Sequence, residues 1–251
     1  MTIPSPEAEA AERDYYAAFL SSPEYRRSRV RKAAVVAAII DDEIRSAEVI
    51  GDLGSGTGLL KRELETIGGK RIFGFEVDRA VLIERERTCV ADGGRLPVSD
   101  ATFDLLIVNH VYEHVAEPRR LFEEVSRVLK PGGRAYVTAG SRWAILEPHY
   151  RLPLLSWLPE GLADRYVRLT RRGDSYSGIR FLGYRRLRCK MNVAGLHTSD
   201  ITERALRSVL GGGGGSKWRP VWRLLSLLPE PVRRGGLRWA PQWFFLLRRR
   251  D

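Results

Sequence analysis

A glycine-rich turn follows the first clearly apolar run of the chain and constrains the fold more than any other feature. Residues 49–58 read Val-Ile-Gly-Asp-Leu-Gly-Ser-Gly-Thr-Gly, and the residues that follow have a helical pattern. A strand, a tight turn and a helix are therefore expected here. Glycine tolerates positive φ and has no Cβ, so a ligand can lie against the turn while N–H groups at the helix start face it. Many nucleotide-binding folds use such a turn.

Polar residues follow the turn in an ordered series. Glu76 comes after the next predicted strand, 22 residues beyond Gly54, which is the usual spacing of a carboxylate that accepts hydrogen bonds from ribose hydroxyls. Asp92 comes after the third predicted strand, and the polar segment 109–114 follows the fourth. Ligands of open parallel sheets bind beyond the carboxyl ends of the strands. These residues are therefore expected to converge on one site.

Alternating strand and helix patterns predict an α/β fold with a doubly wound, mostly parallel sheet. The predicted strands are 48–53, 71–75, 88–91, 103–108, 134–139, 198–203 and 242–248. The predicted helices are 6–20, 24–40, 58–67, 79–86, 117–129 and 180–194. Pro131-Gly132-Gly133 should end the helix that precedes the fifth strand.

Five segments resemble motifs of the class I S-adenosylmethionine-dependent methyltransferases, in particular the type-11 group that includes the ubiquinone and menaquinone biosynthesis enzymes. They are Gly-Asp-Leu-Gly-Ser-Gly-Thr-Gly (51–58), Phe-Gly-Phe-Glu-Val-Asp (73–78), Ala-Asp-Gly-Gly-Arg-Leu-Pro (91–97), Glu-His-Val (113–115) and Arg-Val-Leu-Lys-Pro-Gly-Gly-Arg (127–134). The resemblance implies a Rossmann-like, seven-stranded sheet with an antiparallel last strand and helical insertions. It also implies S-adenosylmethionine as cofactor and methyl transfer to oxygen or carbon. It does not identify the acceptor.

The resemblance assigns cofactor-binding roles by position. The loop after the first strand would hold the amino-acid end of the cofactor, Glu76 the ribose and Asp92 the adenine amino group. Asn109 and His110 would lie near the sulfonium. Asp52 has capping of the turn as an alternative role, and Asp78 is expected to cap a helix. The predicted cofactor-binding residues are Asp52, Gly54, Ser55, Gly56, Gly58, Glu76, Val77, Asp92, Gly93, Asn109 and His110.

Two histidines are predicted to be catalytic, because the pKa of an imidazole lies near neutrality and suits a general base. They are His114, whose alternative role is to order its loop, and His149 in the segment after the fifth strand. A few polar groups in an apolar segment are typical of a small-molecule pocket. The predicted acceptor pocket contains Glu113, Glu147, His149, Tyr150 and Arg151. No metal site is predicted.

The sequence predicts one methyltransferase domain over residues 1–251. Its parts are N-terminal helices in 1–46, a cofactor-binding core in 47–141, an acceptor-covering insertion in 142–176 and a C-terminal part in 177–251. The last part contains five consecutive glycines at 211–215, which predict a flexible linker, and a basic, tryptophan-rich segment after them.

Positive charge is concentrated in the C-terminal part. From Arg142 onward the chain has 22 lysines and arginines against 8 aspartates and glutamates, and all six tryptophans are there. This pattern predicts a small-molecule acceptor that is anionic or lipid-linked, with peripheral contact to an anionic membrane for a lipid-linked one. The alternative is that the tryptophans form the core of the added segments and the acceptor is neutral.

The compartment is predicted from cysteines and hydropathy. Cys89 and Cys189 are far apart and not in a metal-binding spacing, which is typical of reduced thiols. No apolar stretch long enough to span a bilayer and no signal-peptide pattern are visible. A cytoplasmic protein is therefore expected, at the inner membrane face if the acceptor is lipid-linked. The oligomeric state is not predicted.

Three other functions remain as alternatives. A nicotinamide-dependent oxidoreductase would have its third glycine where this chain has Leu59. An RNA methyltransferase would suit the net charge of +11, although Asn109-His-Val-Tyr differs from the Asn/Asp-Pro-Pro-Tyr/Phe motif of enzymes that methylate base amino groups. A non-catalytic protein could retain only the cofactor pocket.

Overall fold

A computed structural model describes residues 22–176, 178–211 and 226–250, together with Leu20 and Leu224. Its central feature is a seven-stranded sheet with the order β3-β2-β1-β4-β5-β7-β6. The strands are β1 (Ile50–Leu53), β2 (Ile72–Glu76), β3 (Thr88–Val90), β4 (Phe103–Asn109), β5 (Leu129–Gly140), β6 (Leu196–Asp200) and β7 (Gln242–Arg249). The first five strands are parallel, and β7 lies antiparallel between β5 and β6. The predicted fold class is confirmed.

Helices cover both faces of this sheet. Within the described residues they are α1 (Pro23–Ile39), α2 (Asp41–Ser46), α3 (Leu59–Gly68), α4 (Pro118–Val128), α5 (Glu160–Leu169), α6 (Tyr184–Val193), α7 (Thr202–Gly211) and α8 (Glu230–Leu237). Short 3₁₀ turns occur at Arg79–Val81, Tyr112–His114 and Leu155–Trp157. None of the described helices combines the length and apolar composition needed to cross a membrane.

The two faces of the sheet bury separate apolar clusters, because side chains alternate along a strand. On β4, Leu106 and Val108 join one cluster with residues of α4 and α6, whereas Leu105 and Ile107 join the other with residues of α1 and α3. All four side chains are essentially inaccessible to solvent. Each such burial stabilises the fold by about 1.5–3 kcal/mol, so the sheet is a firm support for the loops at its edge.

The predicted helix 79–86 is wrong, since only the turn Arg79–Val81 forms. The N–H groups of Ile83 and Glu84 donate to the carbonyl of Thr57, at 3.1 and 2.9 Å. These bonds to the glycine turn replace those that a helix would make. Asp78 caps the short turn by accepting from Ala80 N at 2.8 Å, as predicted.

Two other predicted boundaries are shifted. The strand expected at 198–203 is Leu196–Asp200, because Asp200 accepts from Thr202 N at 2.9 Å and α7 starts there. The helix expected at 180–194 begins at Tyr184. The predicted helix 6–20, except Leu20, and the glycine linker after Gly211 lie outside the described residues.

Strand β5 starts earlier than predicted and contains an irregularity. Its register with β4 changes from Phe103 opposite Leu129 to Leu105 opposite Arg134. Pro131-Gly132-Gly133 lies in this bulge, with Gly132 at φ 75°, rather than in a turn before the strand. The bulged strand still ends at Gly140, beside the end of β4.

The tryptophans of the C-terminal half have different roles. Trp243 on β7 is fully buried in the core, and its indole N–H donates to Leu237 O at 3.2 Å. Trp143 contacts both Trp157 and Trp239, with ring centroids 5.3 and 5.1 Å apart, and these two are exposed. Trp218 and Trp222 lie outside the described residues.

Candidate functional site

A cleft of about 380 Å³ lies beyond the carboxyl ends of β1 to β4. Its lining includes seven of the predicted site residues, namely Gly54, Glu76, Val77, Asp92, Gly93, His110 and His114. The predicted residues Asp52, Ser55, Gly56, Gly58 and Asn109 are not in this lining. The structure therefore brings most of the ordered polar series to one place, as expected for an open parallel sheet.

The glycine turn is held against β2 by backbone hydrogen bonds. Gly54 N and Ser55 N donate to Phe75 O at 2.8 and 3.0 Å, and Gly56 N donates to Glu76 Oε2 at 2.7 Å. Gly56 has φ 55°, and a Cβ built there would meet no atom within 4 Å. Space beside the backbone is what close approach of a ligand requires.

Gly58 has a packing role. It has φ 76°, and a Cβ at this position would collide with the carbonyl of Glu84. The segment that replaces the predicted helix 79–86 thus needs a glycine opposite it. This close approach of two backbones accounts for Gly58 without a ligand.

Asp52 is a buried carboxylate with one oxygen unsatisfied. Its Oδ2 accepts from Ser55 Oγ at 2.7 Å, whereas its buried Oδ1 has no hydrogen-bond partner. Burial raises the pKa of Asp52 to about 6, and the hydrogen bond from Ser55 opposes that rise. A buried acceptor without a partner suits a donor supplied by a ligand.

The residues predicted to contact adenine and the sulfonium, Asp92 and Asn109, differ in how far they reach the cleft. Asp92 is exposed at the cleft, and its Oδ1 accepts from Gly94 N at 2.8 Å. Asn109 accepts a hydrogen bond from Thr138 Oγ1 and is directed to β5. Asp92 therefore retains an oxygen for a ligand, while Asn109 connects two strands.

His110 has a strained backbone at the edge of the cleft. Its φ is 57°, its N–H donates to Thr138 O at 3.1 Å, and its Nδ1 lies 2.8 Å from Glu113 Oε1. A non-glycine residue with positive φ costs about 1–3 kcal/mol and is concentrated at functional sites. The buried carboxylate of Glu113 holds the imidazole in this position.

A second histidine–glutamate pair follows β5. Glu147 is fully buried, its Oε1 lies 2.8 Å from His149 Nδ1, and its Oε2 accepts from the backbone N–H groups of His149 and Tyr150 at 2.9 and 2.6 Å. A carboxylate on Nδ1 selects the tautomer whose Nε2 carries a lone pair. Among the described residues, no hydrogen bond to Nε2 of His149 is present. This nitrogen is available to accept a proton.

His114 lies next to both histidine–glutamate pairs, His110–Glu113 and His149–Glu147. The rings of His114 and His149 are 5.1 Å apart and nearly perpendicular, and His114 also lines the cleft. Desolvation lowers the pKa of His114, with nearby Glu113 acting in the opposite direction. Three predicted residues, Glu113, Glu147 and His149, are therefore grouped beside the cleft.

Two predicted acceptor-pocket residues are directed elsewhere. The hydroxyl of Tyr150 donates to Ser175 O at 2.8 Å, and its ring packs on Tyr176 inside the insertion. Arg151 is exposed and has φ 53°. Tyr150 thus stabilises the insertion.

Sequence reasoning missed Lys32 and Phe181. Lys32 comes from α1, and burial lowers its pKa to about 8 while the charges of Glu113 and Asp52 raise it. Phe181 lies against Gly140, with its ring 5.9 Å from that of His149. Neither residue belongs to a motif, and no local pattern indicates that its segment crosses the site.

Comparisons with known proteins agree with this geometry. A family model described as a methyltransferase domain matches residues 51–137. The ubiquinone biosynthesis O-methyltransferase of Nitrosococcus oceani is 28% identical over 170 residues, which cover 61% of this chain and 68% of that protein. The ubiquinone/menaquinone biosynthesis C-methyltransferase of Laribacter hongkongensis is 30% identical over 142 residues, which cover 49% of this chain and 58% of that protein.

A solved structure from Thermotoga maritima supports the fold. It is described as an S-adenosylmethionine-dependent methyltransferase and possible histamine N-methyltransferase. It aligns with a TM-score of 0.52 at 18% identity, covering 90% of this chain and 95% of that one. At this identity the similarity extends to the fold alone. The matched region of the family model, by contrast, contains the glycine turn, Glu76 and the His110–His114 segment.

Proposed function

Because this chain belongs to the class I S-adenosylmethionine-dependent methyltransferases, we propose that it transfers a methyl group to a hydroxyl oxygen of a small-molecule acceptor. One observation carries the choice of oxygen. The fully buried carboxylate of Glu147 holds Nδ1 of His149, and Nε2 has no partner among the residues that the structure describes. A hydroxyl acceptor must lose a proton during transfer, whereas an activated carbon needs less help from a base.

The cleft supplies the contacts that the cofactor needs. Gly56 leaves space along the turn, and the cleft-lining carboxylates of Glu76 and Asp92 suit the ribose hydroxyls and the adenine amino group. The unpartnered Oδ1 of Asp52 suits the ammonium group. When bound, the cofactor supplies a methyl group activated by its sulfonium. The remaining tasks of the protein are to align the acceptor, exclude water and receive the proton.

His149 receives the proton of the acceptor hydroxyl in this proposal. Glu147 stabilises the resulting imidazolium, since a buried carboxylate 2.8 Å from Nδ1 favours the charged form. His114 borders both His149 and the cleft, so it contacts the acceptor or orders the space between them. His114 is a positioning residue in this arrangement.

The acceptor is proposed to be anionic or lipid-linked, with peripheral contact of the enzyme to an anionic membrane. Support comes from exposed apolar residues on the insertion, where Ile145 and Leu169 are 72% and 73% accessible, and from the excess of arginine in the C-terminal part. Exposed apolar groups among positive charges are typical of surfaces that contact anionic lipids.

Labelled S-adenosylmethionine tests this function. The protein is incubated with the labelled cofactor and an extract of its own organism, and the labelled product is isolated and identified. An O-methylated small molecule is the expected product. A product labelled on carbon would reject the role of His149 as an oxygen-directed base, and labelled RNA would replace the small-molecule proposal. Absence of any labelled product, with the cofactor bound, would indicate a non-catalytic protein.

A further inference from the structure

A second cavity, of about 580 Å³, lies where the end of β5 meets the start of β7. We call it the arginine–tryptophan cavity. It shares no lining residue with the cofactor cleft. Its lining residues are Arg142, Trp143, Phe181, Leu182, Gly183, Tyr184, Arg185, Arg186, Gly235, Arg238 and Trp239.

The charge of this cavity is unbalanced. Among the described residues that line it, four are arginines, at positions 142, 185, 186 and 238, and none is an aspartate or glutamate. Within the described part of the chain, none of the four forms an ion pair with a carboxylate; Arg142 and Arg238 lie over the rings of Trp143 and Tyr184. Clustered guanidinium groups without counter-charges suit an anionic ligand, since their planar forks match carboxylate and phosphate.

A neighbouring cavity shows the opposite arrangement. It is also rich in arginine, but Glu203 pairs with Arg207 and Arg233, and Glu230 pairs with Arg234. Abundant arginine in this half of the chain therefore does not by itself leave guanidinium groups unpaired. Asp200, Glu203 and Glu230 line the neighbouring cavity, whereas none of the described residues that line the arginine–tryptophan cavity is acidic; Arg238 lines both cavities.

The start of α6 adds to the positive potential. Its N-cap is Gly183, which provides no side-chain hydrogen bond, and its first turn contains no acidic residue. Arg185 and Arg186 occupy that first turn instead. Positive side chains at a helix N-terminus are unfavourable, because the helix dipole already places partial positive charge there. An anion in the cavity would relieve this repulsion.

The remaining walls are aromatic and fixed by the fold. Trp143 and Trp239 pack together at 5.1 Å. Leu182 N donates to the hydroxyl of Tyr112 at 3.2 Å and Leu182 O accepts from Arg142 N at 3.3 Å, so the wall is attached to the loop after β4. Phe181 lines the cavity and also lies 5.9 Å from His149. The cavity and the proposed base therefore share one wall.

We propose that the arginine–tryptophan cavity binds the anionic group and the adjoining apolar part of the methyl acceptor. The acceptor class is an amphiphilic acid, with a carboxylate or phosphate that the arginines bind and an apolar part that packs on Trp143 and Trp239. Naming this ligand as the acceptor rests on the proposed function. The location next to Phe181 then lets the reacting end of the acceptor reach His149.

Binding of simple amphiphiles tests the cavity directly. Octyl phosphate, octanoate and octanol, all as monomers, are titrated into the full-length protein by calorimetry. Both acids should bind saturably, with octanol at least about tenfold weaker, since tenfold corresponds to 1.4 kcal/mol and a charged hydrogen bond supplies at least that. Arg142→Gln with Arg186→Gln should weaken octyl phosphate by about tenfold or more. Arg207→Gln with Arg234→Gln removes the same charge from the neighbouring cavity and should leave binding unchanged.

Several outcomes would overturn the proposal. Equal loss in both double variants would mean that only net charge matters, and equal affinity for octanol would mean that the arginines do not select an acid. Binding to phosphatidylglycerol vesicles without binding to monomeric octyl phosphate would assign the surface to a membrane instead. S-adenosylhomocysteine is titrated into the same variants. If the protein binds S-adenosylhomocysteine normally but does not bind octyl phosphate, only the proposal for the arginine–tryptophan cavity is rejected. If it does not bind S-adenosylhomocysteine, the proposed function is rejected.

Discussion

Single residues around the cleft combine burial with incomplete hydrogen bonding. Asp52 and Glu113 each have a buried carboxylate oxygen without a partner among the described residues. Leaving such a group unsatisfied costs about 1–3 kcal/mol or more. Lys32 supplies opposite charge to both from α1, although burial lowers its own pKa. The fold thus keeps charged groups at this cleft at a cost in stability, which is typical of ligand sites.

The raised pKa of Asp52 predicts how stability changes with pH. The carboxyl has a pKa of about 6 when folded against 3.8 for a free side chain, with burial as the main cause. Well below pH 3.8 the carboxyl is protonated in both states and costs nothing. As pH rises through 3.8 the unfolded chain ionises first, so the folded state loses stability relative to an Asp52→Asn variant, and the loss reaches about 3 kcal/mol once pH exceeds 6. Urea unfolding of both proteins from pH 4 to 7 measures this, and parallel pH curves would contradict it.

The carboxylate of Glu76 should contribute to the affinity for the cofactor. Glu76→Ala removes a charged acceptor at the proposed ribose position and also the acceptor of Gly56 N. The affinity for S-adenosylhomocysteine should fall by about 1–3 kcal/mol in calorimetry. Glu123→Ala, which removes only an exposed pair with Arg119, is the control and should bind normally. Unchanged affinity of Glu76→Ala would show that this carboxylate does not contact the cofactor.

A larger side chain at Gly56 should abolish cofactor binding while the fold is retained. Gly56→Val places a branched side chain in the open space beside the turn and strains a backbone with φ 55°, so S-adenosylhomocysteine should no longer bind. Gly69→Val is a matched control, because Gly69 has φ 62°, lies in open space and ends α3. Both variants should show similar circular dichroism and similar loss of stability. Normal binding by Gly56→Val would mean that the ligand does not lie against this turn.

At the scale of elements, the loop after β5 places the Glu147–His149 pair at the end of the sheet. An isolated bridge between Leu146 and Pro153 closes it, and the two carboxylate oxygens of Glu147 accept three hydrogen bonds inside it. The loop can therefore hold His149 in one orientation without a helix or strand. Tyr150 and Tyr176 attach its other end to α5 through the small core of the insertion.

This loop predicts a loss of catalysis that leaves binding intact. His149→Ala should lower the single-turnover rate of methyl transfer by about 10²–10⁴-fold, the usual contribution of a general base. Glu147→Gln should cause a smaller loss, because the imidazolium formed during transfer loses its carboxylate partner. His197→Ala, at an exposed residue of β6, is the control. The affinity for S-adenosylhomocysteine should be unchanged in all three variants. If His149→Ala nevertheless transfers methyl groups at the wild-type rate, His149 is not the general base.

At the scale of the whole molecule, charge and exposed apolar surface occur in the same half of the chain. Leu146, Leu154, Trp157 and Trp239 are all more than 40% accessible, and Trp157 and Trp239 both contact Trp143. The cofactor-binding core before Arg142 is nearly neutral by comparison. The molecule therefore presents a basic, partly apolar part next to a nearly neutral cofactor-binding core.

This asymmetry predicts binding to anionic membranes. The protein should co-sediment with vesicles that contain phosphatidylglycerol at low salt and less at physiological salt, with about 1 kcal/mol per arginine near the surface. Replacing Trp157 and Trp239 by serine should reduce binding, whereas Ile67→Ser, an exposed apolar residue of α3, should not. Absence of sedimentation at low salt would rule out membrane contact and leave a soluble acceptor.

The fold and most of the cofactor cleft could be predicted from short motifs, because each one sits at the end of a predicted strand. Gly54, Glu76, Asp92 and His110 line the cleft as a result. The helix expected at 79–86 failed because hydrogen bonds to Thr57, distant in sequence, replaced its own. Gly58 was interpreted as a ligand contact, yet the structure shows a collision with Glu84 as its constraint.

The sequence by itself determined the sheet and the order of polar groups, because strand periodicity and glycine turns are local properties of the chain, and the resemblance of its motifs to the methyltransferase family identified the cofactor class. The tertiary structure alone decided three other features. It placed Glu147 against His149 beside His114, it brought Phe181 between the proposed base and a second cavity, and it left the four arginines of that cavity without acidic partners among the described residues. Each of these depends on contacts between segments far apart in sequence, and local patterns carry no information about such contacts.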